Sequence, residues 1–189
     1  MKTTHINLAI GETLIIHGIA SPPKPRPEDE LEKFLTIGSV AIYRNADGTY
    51  CNFLSDLDIC NDGCGPAHGD QHHQAMTAYC SGGITGNKYL NADKDKYIVV
   101  PPQVRAKLPG VVMGCRGAVT NMDTGETFFG VIGDIGPDNK TGETAYCLAK
   151  LLNPAITHNS GDSNEIYLYE LWPDIPATAG NFTYKLQPA

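Results

Sequence analysis

The sequence lacks any apolar run near the roughly 18 residues that a membrane-spanning helix requires, so no helical span and no membrane partner are expected. It also lacks a basic cluster. Its 14 Lys and Arg are scattered among 21 Asp and Glu, giving a net charge of −7 and a pI near 5.2. That balance excludes nucleic acid as the expected partner, because phosphate binding needs clustered cations. Long polar or repetitive tracts are missing too, which leaves little room for disorder outside the ends. What remains is a globular composition, 41% hydrophobic and 19% charged over 189 residues, enough for one domain with a substantial core.

An export signal is also missing from the opening stretch. In MKTTHINLAIGETLIIHGIA, the residues His5, Glu12 and His17 break up the apolar core that a signal peptide needs. The runs INLAI and TLIIHGIA instead predict a hairpin or two short strands. SPPKPRPEDE follows, and its four prolines forbid a helix and favour an extended linker. DELEKFL then predicts a helical turn or two. Residues 1–37 are read as an N-terminal extension with a Pro-rich linker, and residues 38–189 as the working domain.

Six cysteines are many for a chain of this size, and Cys51, Cys60, Cys64 and Cys80 crowd into one segment. Two disulfides stapling a loop-rich region are the favoured reading. Zinc is the alternative, since Cys60 and Cys64 lie close in sequence to His68, His72 and His73, yet no second pair follows at the usual spacing. Cys115 and Cys147 sit in apolar surroundings and read as buried thiols.

Strand patterns dominate the rest. SVAIYRNADGTYCNF predicts a hairpin about Asn45 to Gly48, because Asp-Gly is a strong turn signal. Between residues 55 and 88 periodicity fades into a Gly- and Cys-rich loop, with a short helix expected near QHHQAMTAY. KYIVVPP reads as a short buried strand stopped by two prolines. VVMGCRGAVT and ETFFGVIGD form a second hairpin turning at NMDTG, and GETAYCLAKLLNP carries apolar residues at helical spacing up to Pro154. NEIYLYELWP is the last strand. The sum is mainly β, a small barrel or β-rich α+β fold with one packed helix and long loops.

Two carboxyl groups stand out in GVIGDIGPDNKTGE. Asp134 ends a buried strand and Glu143 opens the packed helix, so both are expected on rigid elements facing a Gly- and Pro-rich connection. Each alone has a structural explanation, Glu143 as a helix-start residue and Asp134 as a turn former. The helix terminus is worth only about 0.3 to 1 kcal/mol in favour of the anion. Burial in a cleft shifts a carboxyl pKa upward by more, so a protonated glutamate is physically available.

YIVVPP, then GAVT, then FFGVIGDIGPDNKTGETAYCLAKLL resemble glycoside hydrolase family 75, the endo-chitosanases, and SDLDICNDGCGPAH resembles the aspartate-rich segment that precedes this core in the family. The likeness covers roughly residues 40 to 170, and the Gly-Asp-x-Gly-Pro…Gly-Glu pattern is its most specific part. The resemblance implies a six-stranded double-psi β-barrel and hydrolysis of β-1,4 glucosamine linkages in chitosan by inversion. It implies Asp134 and Glu143 as the catalytic pair. Inversion needs one carboxylic acid and one carboxylate roughly 6.5 to 9.5 Å apart, and either residue could take either role from sequence alone.

Chitosan is cationic, so further carboxylates should line its groove. Asp56, Asp58, Asp62 and Asp138 are the candidates, with a structural turn network the competing account for Asp56 and Asp58. A calcium loop fits poorly, since Cys60 and Asn61 stand where an EF-hand loop wants an oxygen ligand and a glycine. Tyr50, Tyr79, Tyr97 and Trp172 are better read as core than as sugar platforms. The expected protein is an extracellular monomer that acts on a cationic polysaccharide without metal or cofactor. Another β-linked polysaccharide (chitin, peptidoglycan or a β-glucan) and a non-catalytic polysaccharide-binding role are the alternatives.

Overall fold

The computed structural model describes residues 31–188. The hairpin and linker expected within residues 1–30 lie outside that range. The fold is mainly β: a closed six-stranded barrel with, among the described residues, two short helices. In chain order the strands are β1 (Leu31–Ile37), β2 (Val40–Asn45), β3 (Cys51–Cys60), β4 (Tyr97–Val100), β5 (Cys115–Asn121), β6 (Thr127–Ile135), β7 (Glu143–Ala145) and β8 (Asp162–Pro176). Helix α1 (Pro102–Lys107) follows β4, α2 (Tyr146–Leu152) follows β7, and β9 (Thr178–Ala179) with β10 (Phe182–Thr183) makes a small terminal hairpin.

Around the barrel the order is β3-β7-β4-β6-β5-β8, and β8 returns to β3 to close it. The β1-β2 hairpin extends from the β3 edge. Closure works because β3 changes partners along its length. Its first half pairs antiparallel with β8, the register slips between Ser55 and Leu57, and Asp58 to Cys60 pair in parallel with β7. A bulge bends a strand and steepens its twist, which is how a sheet turns a corner. At the closing seam Phe53 lies directly opposite Tyr169, with rings stacked at 5.0 Å and 3°.

Side chains fill the interior. Ile42, Leu57, Tyr97, Ile98, Ile132, Leu148 and Tyr167 are fully buried in one cluster. Where strands crowd, glycine replaces a side chain: a Cβ at Gly133 would fall 2.5 Å from both Leu90 Cδ1 and Tyr97 Cβ. Tyr50, Tyr79, Tyr97 and Trp172 are all buried, as core residues should be.

Four local expectations are corrected. DELEKFL contributes to β1 rather than to a helix, because Leu31 to Ile37 find strand partners in β2. QHHQAMTAY is irregular; its backbone is spent on contacts such as the Tyr79 N–H to the Gly133 carbonyl at 2.9 Å. The prolines after β4 do not merely stop a strand but start α1, with proline in its first turn where no N–H is needed. The disulfides are not formed: all six cysteines are free. Cys51 and Cys60 sit at opposite ends of β3, about 30 Å apart for an extended run of that length, while Cys64 and Cys80 are exposed.

Removing a ring from the closing seam should loosen the barrel. Phe53→Ala is expected to cost about 3–5 kcal/mol in urea unfolding, against about 0.5 kcal/mol or less for the neighbouring, half-exposed Leu54→Ala.

Candidate active site

Strand β4 carries the site's geometry. On one side it pairs in parallel with β6, Val99 opposite Asp134; on the other it meets β7, Ile98 opposite Thr144. Asp134 and Glu143 therefore flank the same short strand. Two interstrand spacings separate their backbones, about 10 Å. Both side chains line one open cleft of about 530 Å³, together with Val99, Ile135, Gly136, Pro137 and Lys140. Glu143 begins β7, not the helix, which starts three residues later at Tyr146. A helix dipole thus has no part in setting its charge, and strand pairing positions it instead. The Asp58 N–H donates to the Gly142 carbonyl at 2.6 Å just before it.

Gly136 lets the loop between the two acids lie close to them. Its N–H donates to the Val100 carbonyl at 3.1 Å, and a Cβ there would stand 3.0 Å from Val99 Cγ1 and 3.4 Å from Glu143 Oε2.

The two carboxyl groups have different surroundings. Asp134 Oδ1 accepts the N–H groups of Ala78 at 2.8 Å and Ile135 at 2.9 Å. Burial pushes its pKa up to about 6, and these two donors hold it below what burial alone would give. Burial pushes Glu143 further, up to about 7; the Lys140 charge opposes that rise while Asp58, Asp134 and Asp62 add to it. At neutral pH the glutamate keeps its proton more readily than the aspartate.

Of the other predicted acids, only Asp62 joins them in the cleft. Its Oδ1 accepts the Gln74 N–H at 2.6 Å and lies 3.9 Å from His73 Nδ1, and burial raises its pKa. Asp58 lies beside the cleft, its Oδ2 2.8 Å from the Lys140 ammonium. Asp56 is turned into the β3 bulge, where it accepts the Ser55 hydroxyl at 3.0 Å and packs against Gly142. Asp138 stands exposed on the loop, and its carbonyl accepts Gln103 Nε2 at 2.6 Å. Neither of these last two lines the cleft. Sequence reasoning missed Asp70, His72 and Lys140, which do line the cleft. Lys140 was readable as the one cation between the paired acids; Asp70 and His72 come from a loop whose path no periodicity reveals.

The Cys60, Cys64, His68, His72 and His73 zinc set is not assembled: Cys64 Sγ faces the Tyr89 carbonyl at 3.2 Å, and His68 Nε2 stands 3.0 Å from Asp93 Oδ2. Two other groups bring metal-binding atoms within 4.8 Å of one another, Cys60-Asp62-Asp134 in the cleft and His68-Asp93-His158 outside it. In the first, burial holds the Cys60 thiol far above its ordinary pKa, which disfavours the thiolate a metal needs.

No family model matches the chain, and no curated protein matches it.

A carboxyl held neutral by the fold stabilises it only while neutral. For Glu143 that contribution is full below its unfolded pKa of about 4.3 and is lost as pH rises through about 7. Glu143→Gln should therefore leave thermal stability unchanged near pH 4 and raise it by about 3–4 kcal/mol at pH 8. Equal stability of the two proteins at pH 8 would refute the burial assigned to this group.

Proposed function

We propose that the protein is a glycoside hydrolase that cleaves β-1,4 glucosamine linkages within chitosan by an inverting acid/base mechanism. The observation that carries this reading is the pair of buried, unequal carboxyl groups facing one acidic cleft from either side of β4. Glu143, the more readily protonated, donates to the leaving glycosidic oxygen. Asp134, the more readily ionised, draws the proton from a water that attacks the anomeric carbon from the opposite face. Inversion needs the two carboxyl groups roughly 6.5 to 9.5 Å apart, with that water between them.

The lining supports a cationic sugar. Asp62, Asp70, Asp134 and Glu143 face the cleft against a single lysine, and among the described residues no Phe, Tyr or Trp lines it. Neutral glucans are held largely by aromatic stacking, whereas a polymer of ammonium groups is drawn to carboxylates and steered to them at long range. The overall charge of −7 acts in the same direction.

Chitosan oligomers followed by NMR should release products first in the α configuration, with kcat/KM highest between the two pKa values, about 6 and about 7. Asp134→Asn and Glu143→Gln should each lower kcat at least about 100-fold with the fold intact. Release from chitin, peptidoglycan or a β-glucan but not from chitosan would move the substrate assignment. Binding without turnover on any of them would overturn the hydrolase reading.

A further inference from the structure

Outside the cleft, the long loop between β3 and β4 and the turn after α2 bring His68, Asp93 and His158 together. Asp93 Oδ2 lies 3.0 Å from His68 Nε2, and Asp93 Oδ1 lies 3.4 Å from His158 Nε2. Two donors on one tetrahedral ion at about 2.0–2.1 Å stand about 3.3 Å apart, so these spacings are those of a shared coordination sphere.

Surrounding contacts preset two of the three donors. Asn61 Nδ2 donates to the His158 carbonyl at 2.9 Å, which turns Asn61 Oδ1 toward His158 Nδ1, also at 2.9 Å. The proton of His158 therefore sits on Nδ1, and Nε2 offers a lone pair toward Asp93, the tautomer that metal-bound histidine adopts when its other nitrogen is tied to a carbonyl oxygen. Tyr146 stacks on the same imidazole at 3.5 Å, and the Asp93 N–H is held by Asn91 Oδ1 at 2.9 Å. His68 takes a φ of 51°, a left-handed conformation that costs energy for a residue with a Cβ.

Without a cation the grouping is poorly balanced. A carboxylate oxygen faces the His158 lone pair, and the two imidazoles lie face to face at 3.5 Å and 13°, where two positive rings would repel. A divalent ion between them satisfies all three donors at once.

We propose that His68, Asp93 and His158 bind one divalent transition-metal ion of the zinc class, with water completing the sphere. Two nitrogen donors with one carboxylate suit such an ion and disfavour calcium or magnesium, which want oxygen ligands. As it enters, the rings splay so that both lone pairs meet it; His158 is clamped by Tyr146 and Asn61, so His68 makes the movement. Asn61 also reaches Asp70 Oδ2 at 3.4 Å, and both line the cleft, so the ion stiffens that wall of the groove.

Protein stripped with EDTA and dialysed should take up one Zn²⁺ per chain by calorimetry, and Co²⁺ should give visible d–d bands at the same stoichiometry. Asp93→Asn and His68→Gln should abolish both signals. Asn61→Ala should weaken affinity about 10–100-fold, and Asp62→Asn, in the cleft, should leave it unchanged. Wild-type protein binding fewer than about 0.1 ion per chain overturns the proposal, whatever the variants do. So does binding that survives Asp93→Asn or is lost in Asp62→Asn. Thermal unfolding of each variant separates lost ligation from lost fold, and no part of the test depends on activity toward chitosan.

Discussion

The structure turns on one strand that serves two partners. β3 pairs with β8 along its first half and with β7 along its second, and the slip between Ser55 and Leu57 makes both possible. Without that bend the barrel would stay an open sheet with a raw edge, and β7 would have no parallel neighbour. The bend also fixes Gly142, whose φ of 85° and close approach to Asp56 and Ser55 no other residue tolerates. Glu143 follows directly, in register with Asp58, so closure of the fold and aim of the acid are the same event.

Closure also supplies the electrostatics. The barrel end that carries β4 withdraws both carboxyl groups from water, and each responds according to what else it touches. Two backbone N–H groups favour the anion of Asp134, while Glu143 meets other acids and one lysine. The unequal protonation of the two carboxyl groups near neutral pH thus follows from what surrounds each of them, which nine residues of sequence spacing do not reveal.

Periodicity carried the barrel strands well because their constraint is local: alternation and turn residues mark the hairpins β2-β3 and β5-β6. It failed where a partner decides. Leu31 to Ile37 have a pattern that suits a helix, and only β2 makes them a strand. The acid pair was legible as a motif on either side of a Gly-Pro loop, yet Glu143's placement on a strand was not, since a three-residue β7 leaves no periodic trace. Clustered cysteines suggested staples, but β3 spreads Cys51 and Cys60 to its two ends. Asp56 lies six residues before the cleft acid Asp62, and the bulge turns it toward Ser55 and Gly142 instead.

The irregular segment from residue 61 to residue 96 resolves a tension in this design. Long loops without regular structure cost order, and one that walls a cleft has to be held as firmly as a strand. Here polar side chains do the holding. Asp95, fully buried, accepts the N–H groups of Ile84 and Asn91; Thr77 bridges Tyr79 and Leu90; Tyr97 donates to the Asp62 carbonyl at 2.9 Å. These bonds deliver the Ala78 N–H to Asp134 and set Asp62 in the cleft, so the charge balance of the acid pair is transmitted from residues that never touch it. A cation at His68, Asp93 and His158 would close the same network at its outer edge, joining the loop to the turn after α2 where side-chain hydrogen bonds alone leave carboxylate facing lone pair.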